Sequence, residues 1–218
     1  QIVKDPVTYL NISEEKYDVI IISQPSPANV QTNRYFTLEF FQKAKLLMHE
    51  QGIISASLSA SANYLSEMEL QLHSTLYQTL SEVFGHVRII PGSRNYFLAS
   101  EYPIKRNYTE LMTTANVQNQ YLNTDYIDDE LLRIRSEALM AGLDEQAVTN
   151  LDFKPVAYLM FIQHWLGHFG VSMLILLVIS AVLTVFFLFI SKPAITSMFT
   201  SGFTGAAAEV SLIIAFQV

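Results

Sequence analysis

The sequence predicts an α/β fold, read as the carboxyl half of such a domain, followed by a transmembrane helical hairpin. Three observations predict it. Short apolar runs with strand character alternate with amphipathic stretches of helical period over residues 17–101. Twelve of the 13 Lys and Arg precede residue 160, and from Gly170 onward only Lys192 and Glu209 are charged. Val171–Ile190, "VSMLILLVISAVLTVFFLFI", holds 20 residues without a charge, the ~20 that cross a bilayer core.

The first strand, Val19–Ile22, is a β-branched run of the kind buried on both faces of a parallel sheet. It leads into Ser23-Gln24-Pro25-Ser26-Pro27, and a loop at the carboxyl end of such a strand is where open α/β sheets hold ligands. Thr37–His49 predicts a helix with Phe40, Phe41, Ala44, Leu47 and Met48 on one face, and Gly52 follows as a stop. Ile53–Leu58 is the second strand, and Ser55, Ser57 and Ser59 alternate along it and its exit.

Tyr64–Phe84 repeats its apolar residues every three or four positions, a helix of about five or six turns, with Gly85 at its end. Val87–Ile90 and Tyr96–Ala99 flank "PGSRN" and predict an antiparallel hairpin. Within the polar stretch 102–152, Asp125–Gly142 predicts a helix with acids at its start. Asn150–Pro155 reads as a linker.

Ser191-Lys192-Pro193 breaks the two apolar stretches. The second, at 194–218, carries small residues around Gly202 and Gly205 that favour close helix packing. A carboxylate inside a span, here Glu209, implies a protein- or water-facing position. The first residues lack a starting Met and a signal-peptide pattern, and the last residues fall within an apolar run. The chain is therefore expected to be a piece of a longer polypeptide, with the rest of that polypeptide as a partner. The expected divisions are 1–101 for the α/β part, 102–169 for a helical extension and linker, and 170–218 for the transmembrane helices (about 171–190 and 194–218).

The composition narrows the chemistry. A net charge of −7 without an offsetting basic patch argues against nucleic acid, which selects basic surfaces. With no cysteine, disulfides, zinc thiolates and thiol nucleophiles are excluded. The carboxylates that could do acid–base work are Asp5, Asp18, Glu39, Asp125, Asp128 and Asp129. Asp18 reads as a solvated residue at a strand start. Asp5 reads either as a turn or helix cap before Pro6 or as an acid at a strand end that holds an adenine or ribose. His164 and His168 share a helix face but have no third ligand nearby, so no metal is expected. There is no G-x-S-x-G elbow and no glycine-rich phosphate loop.

The segment "YDVIIISQPSPANVQTNRYFTLEFFQKAKLLMHEQGIISASL" is similar to the central block of the spermidine synthases. That block runs Tyr-Asp, an apolar strand, Asp-Ser-Ser-Asp-Pro, a loop, "LFTxEFY", a helix and Gly-Gly-(Ile/Val). The resemblance extends from Ile2 to about Glu101. Further on, "YLNTDYIDDELL", "NLDFKPVAYLMFIQHW" and "FTSGFTGAAAEVSLIIAFQ" resemble a variant of the family fused to transmembrane helices.

The resemblance implies a Rossmann-like, methyltransferase-type fold and a ligand that is decarboxylated S-adenosylmethionine or S-adenosylmethionine. It implies transfer of an aminopropyl group to a polyamine such as putrescine. It also implies a lipid bilayer as partner, an integral membrane protein, and a soluble part on the cytoplasmic side. In that family the second Asp of the loop motif takes a proton from the attacking amine. Here Ser26 stands at that position and Ser23 at the first Asp, with Gln24 between them and Pro27 retained. Tyr17, Asp18, Tyr35-Phe36-Thr37 and Glu39-Phe40 also match, and Asp5 falls at the acid that contacts the adenine amino group. A serine without an adjacent base does not act as a general base near neutral pH.

The expectation is a spermidine synthase-like membrane protein with a degenerate catalytic loop. Ser26 occupies the catalytic position, and Asp5, Ser23, Gln24 and Pro27 lie about the ligand. Two other functions stand beside it. One is a non-catalytic regulatory or interaction domain of a transporter-like membrane protein. The other is a methyltransferase-like enzyme using S-adenosylmethionine on another substrate.

Overall fold

The computed structural model describes residues 5–60, 66–117, 126–170 and 172–217. Ile2, Tyr64, Asp125 and Val171, named above, lie outside the described residues. The chain divides into two compact units, Gln1–Ala157 and Tyr158–Val218.

The first unit is built on a four-stranded mixed sheet in the order β1-β2-β4-β3. β1 (Tyr17–Ile21) pairs in parallel with β2 (Met48–Ser59). β4 (Arg94–Ser100) runs antiparallel to both β2 and β3 (His86–Ile90). The expected hairpin is therefore present. β2 begins five residues before the expected strand because the preceding helix stops at Leu46.

Period-2 burial makes one face of this sheet the core. Ile54, Ala56 and Leu58 of β2 face the same way as their partners Ala99, Phe97 and Asn95 of β4. Two helices cover that face. α3 (Leu38–Leu46) is capped by Thr37, whose hydroxyl accepts from Phe40 N, and it buries Phe40, Phe41 and Ala44. α4 (Glu67–Ser81) opens with a capping box between Ser66 and Glu69, which satisfies two otherwise orphaned N–H groups. It buries Leu72, Leu76 and Leu80.

β1 departs from expectation. It was predicted to be buried on both faces, yet Val19 is 56% and Ile21 71% exposed. The reason is its place at the end of the sheet, with β2 as its strand partner among the described residues. Before it, α1 (Pro6–Ile12) forms a short helix with Asp5 as its cap. After it, α2 (Val30–Asn33) and a single tight turn at Arg34–Phe36 lead into α3.

The polar segment beyond the hairpin forms α5 (Tyr108–Thr114) and α6 (Asp129–Ala141). Ser136 of α6 donates to Ile89 O at 2.6 Å, which brings α6 against β3. The stretch expected to be a linker is instead fastened down. Asn150 is buried. Its side-chain amide donates to Phe36 O at 2.9 Å and Asn33 Oδ1 at 3.1 Å, and its N–H donates to Thr79 Oγ1 at 3.0 Å. α7 (Val156–His168) follows and crosses the boundary between the two units.

The second unit holds α8 (Met173–Ile190) and α9 (Pro193–Gln217), separated where the sequence breaks. Pro193 opens α9, a position that tolerates its missing N–H. The Ser191 and Thr196 hydroxyls lie 2.7 Å apart, and the Phe187 and Phe199 rings meet at 4.8 Å. Among the described residues no helix is long and apolar enough to cross a membrane, so the expected transmembrane hairpin is not reproduced as two spans. α8 is an uncharged helix of 18 residues, and α9, of 25 residues, carries Ser, Thr, Gly and Glu209 among its apolar residues.

Candidate functional site

The parallel pairing of β1 with β2 brings the carboxyl ends of both strands to one edge of the sheet. β4 runs the other way, so its first residue, Arg94, sits at that same edge opposite Ser59. The loop Ser23–Pro27 springs from the end of β1 here. Ile22 N donates to Ser55 O at 2.8 Å and fixes its point of departure. Pro27 is buried, while Ser23 is exposed.

Ser26 is tied to the end of β2. Its hydroxyl lies 3.5 Å from the Ser59 hydroxyl and accepts from Ser59 N at 3.4 Å. These are long bonds to neutral groups, and nothing in them activates the oxygen.

Two cavities flank the loop, and Ser23 and Gln24 line both. The first, of about 550 Å³, lies between α1 and β1 and is walled by Tyr9, Leu10, Tyr17, Ile21, Tyr35 and Phe40. The second, of about 410 Å³, lies over the sheet edge and is walled by Pro25, Ser55, Ser57, Arg94 and Tyr96. Among the described residues neither wall contains a carboxylate or an imidazole.

Tyr17 of the first cavity is held as a neutral phenol. The Tyr9 and Tyr17 hydroxyls bond to each other, and Tyr17 donates to Glu15 at 2.7 Å. The bond to Tyr9, and then that to the Glu15 carboxylate, push the Tyr17 phenol above its usual value and hold it neutral.

The candidate acids have local work. The Asp5 carboxylate caps α1 through Thr8 N at 3.0 Å and Thr8 Oγ1 at 3.1 Å, and forms an ion pair with Arg34. Glu39 accepts from Asp152 N at 3.0 Å. Asp128 caps α6 through Leu131 N at 2.9 Å. Burial alone would raise the Asp129 carboxyl, but bonds from Thr109 and Tyr108 outweigh it and hold the group below its ordinary range. Asp18 is exposed along β1. Asp125 lies outside the described residues, as does the side chain of His168; among the described residues no cluster of three metal-ligating side chains occurs.

The structure thus brings Ser23, Gln24 and Ser26 together at one sheet edge and turns the Asp5 carboxylate toward α1 and Arg34. It adds a residue that sequence reasoning passed over as one scattered basic residue: Arg94. The guanidinium donates to Ser57 Oγ through Nε at 3.2 Å and Nη2 at 3.0 Å, and reaches Ser59 Oγ from Nη1 at 3.4 Å. The available signal was its place at the start of a hairpin strand, which antiparallel pairing sends to the loop end of the sheet.

Comparison with known proteins addresses this same region. Residues 2–102 match the Spermine/spermidine synthase domain family. Among curated proteins, the chain is 29% identical over 85 residues to the polyamine aminopropyltransferase of Saccharolobus solfataricus, covering 38% of this chain and 26% of that protein. With the Thermoplasma acidophilum polyamine aminopropyltransferase it shares 23% over 127 residues, 58% of this chain and 45% of the relative. The chain therefore spans between a quarter and a half of the length of these relatives. Among solved structures, a spermidine synthase in complex with the transition-state analogue AdoDATO aligns with a TM-score of 0.47 at 21% identity, covering 64% of this chain and 50% of that one. The spermidine synthase of Thermotoga maritima aligns at 0.44 and 21%, covering 65% and 48%. The family match, over residues 2–102, takes in all four strands and the loop just described, and the similarity of this region is to the spermine/spermidine synthases.

Proposed function

We infer that the first unit is a spermidine synthase-like domain, of Rossmann-like methyltransferase type, that does not transfer aminopropyl groups to a polyamine. One observation carries this reading: among the described residues the two cavities at the loop are walled without a carboxylate. A diammonium acceptor must be bound as a cation and must lose a proton before it attacks. Ser23 and Ser26 supply neither charge nor base, and the Ser26 hydroxyl is spent on the end of β2.

An adenosyl group, from S-adenosylmethionine or its decarboxylated form, suits the larger cavity, where Tyr9, Tyr35 and Phe40 offer aromatic and apolar surface to a nucleobase. Asp5 adjoins Pro6, which lines that cavity, and its carboxylate is engaged with Arg34 and Thr8. The second unit is read as a membrane-associated helical pair. The support is the charge-free α8, whose Leu177 and Phe186 are each 62% exposed, a surface that water disfavours at about 25 cal/mol per Å². The first unit then lies on the cytoplasmic side, where adenosyl ligands are made.

The test is direct. Full-length protein given decarboxylated S-adenosylmethionine and putrescine is expected to form no spermidine above background. Sustained turnover overturns the reading. Calorimetry with the two adenosyl compounds then separates a ligand-binding domain from a purely structural one.

A further inference from the structure

We propose that the smaller cavity binds the carboxylate of a small anionic molecule, with Arg94 as the residue that selects it. The proposal rests on the reading of the first unit as a domain that does not use a polyamine acceptor, and it names the chemical class of what enters the smaller cavity instead.

The argument begins with charge. Among the described residues Arg94 is the one charged residue on the wall of this cavity, and no carboxylate shares the wall. Among the described residues its guanidinium forms no ion pair. Its partners are neutral oxygens: the Ser57 hydroxyl, the Ser57 carbonyl at 3.4 Å and the Ser59 hydroxyl. These bonds orient the guanidinium without neutralising it. A half-buried, oriented and uncompensated cation favours an anion and repels a diammonium.

Geometry narrows the anion. A guanidinium presents parallel N–H donors that match the two oxygens of a carboxylate. Nε and Nη2 are drawn to Ser57, while Nη1 makes only the long contact to Ser59 and keeps donor capacity for a ligand. Ser55 and Gln24 line the same space with polar groups. One guanidinium with its Nη1 donors turned to the cavity, and no second cation among the described residues of the wall, suit a single carboxylate better than a phosphate with its larger charge. Tyr96, 45% exposed beside Arg94, gives the carbon skeleton a surface to lie on.

Succinate and putrescine have the same four-carbon length and opposite charge, so they form the test pair, with inorganic phosphate as a third probe. Calorimetry on the full chain should show succinate binding and no putrescine binding. Arg94→Gln should weaken succinate binding by about tenfold or more, since a charge-assisted bond contributes about 1.5–3 kcal/mol. Arg94→Lys, which keeps the charge but loses the serine bonds that orient the planar group, should fall between. Gln24→Glu leaves Arg94 and its serine bonds in place but supplies an internal carboxylate, and should also abolish succinate binding.

Absence of succinate binding, or equal binding by wild type and by Gln24→Glu, overturns the proposal. Tighter binding of phosphate than of succinate overturns the assignment to a carboxylate. The two readings fail separately: putrescine turnover overturns the proposed function, whereas no turnover together with no succinate binding overturns the anion assignment alone.

Discussion

His73 shows how a polar residue can be part of this core. It is buried against Phe97, with ring centroids 5.6 Å apart. Its Nδ1 donates to Glu69 O at 2.6 Å, and its Nε2 accepts from the Asn95 side chain at 3.0 Å. Asn95 in turn accepts from Gly92 N at 3.2 Å, so one side-chain pair joins α4 to the hairpin turn. Burial pulls the imidazole below its usual value, against the opposing effect of the Glu69 carbonyl and charge. The unfolded chain therefore takes up a proton near pH 6.5 that the folded chain refuses. Stability is present above that pH and is lost as the pH falls below it. The urea midpoint should drop between pH 7.5 and pH 5, and His73→Gln should flatten that slope. An unchanged slope in the variant would assign the acid sensitivity elsewhere. Phe97, fully buried beneath the same ring, should cost about 3–5 kcal/mol on truncation to alanine, measured by the same titration.

The elements that carry hydrophobic period were legible in the sequence. β2, β3, β4, α3 and α4 fall where their apolar spacing puts them, because each buries one face and the period records that face. Elements made by local polar bonds were legible only in part. The Asp5 cap before Pro6 that sets α1 was one of the two readings open for Asp5, whereas α2 rests on the Asn29 and Thr32 capping box, a signal too short to stand out from a loop. Asn150 was invisible for another reason, since its partners Asn33, Phe36 and Thr79 are distant in the chain. A polar stretch beside a proline looks like a linker until the fold closes around it. Asn150→Ala would strand several buried backbone and side-chain groups at once. It should cost about 3 kcal/mol, and hydrogen exchange should quicken at Leu38 N, which donates to Asn150 O at 2.9 Å. Retained protection at Leu38 would show that this clamp is not what holds the start of α3.

For the whole molecule, the sequence divides by charge and the structure by compactness, and the two agree only roughly. The charge-poor region begins near Gly170, whereas the second unit begins at Tyr158. The missing cysteines make the membrane reading easy to examine. A cysteine placed at Ser191, between α8 and α9, should react with an impermeant thiol reagent from one side of a sealed vesicle only. Equal labelling from both sides, or recovery of the protein in a detergent-free supernatant, would remove the bilayer from the account.

The loop chemistry was readable as the replacement of two acids by Ser23 and Ser26, but the charge of the pocket was not, because Arg94 reaches it only through the reversal of β4. That reversal has an evolutionary consequence. A hairpin turn is the part of a sheet most tolerant of substitution, and this one delivers its next residue to the mouth of the cavity. The lineage could therefore retune what the pocket admits by changing position 94, without repacking Phe97 or Leu58 beneath it.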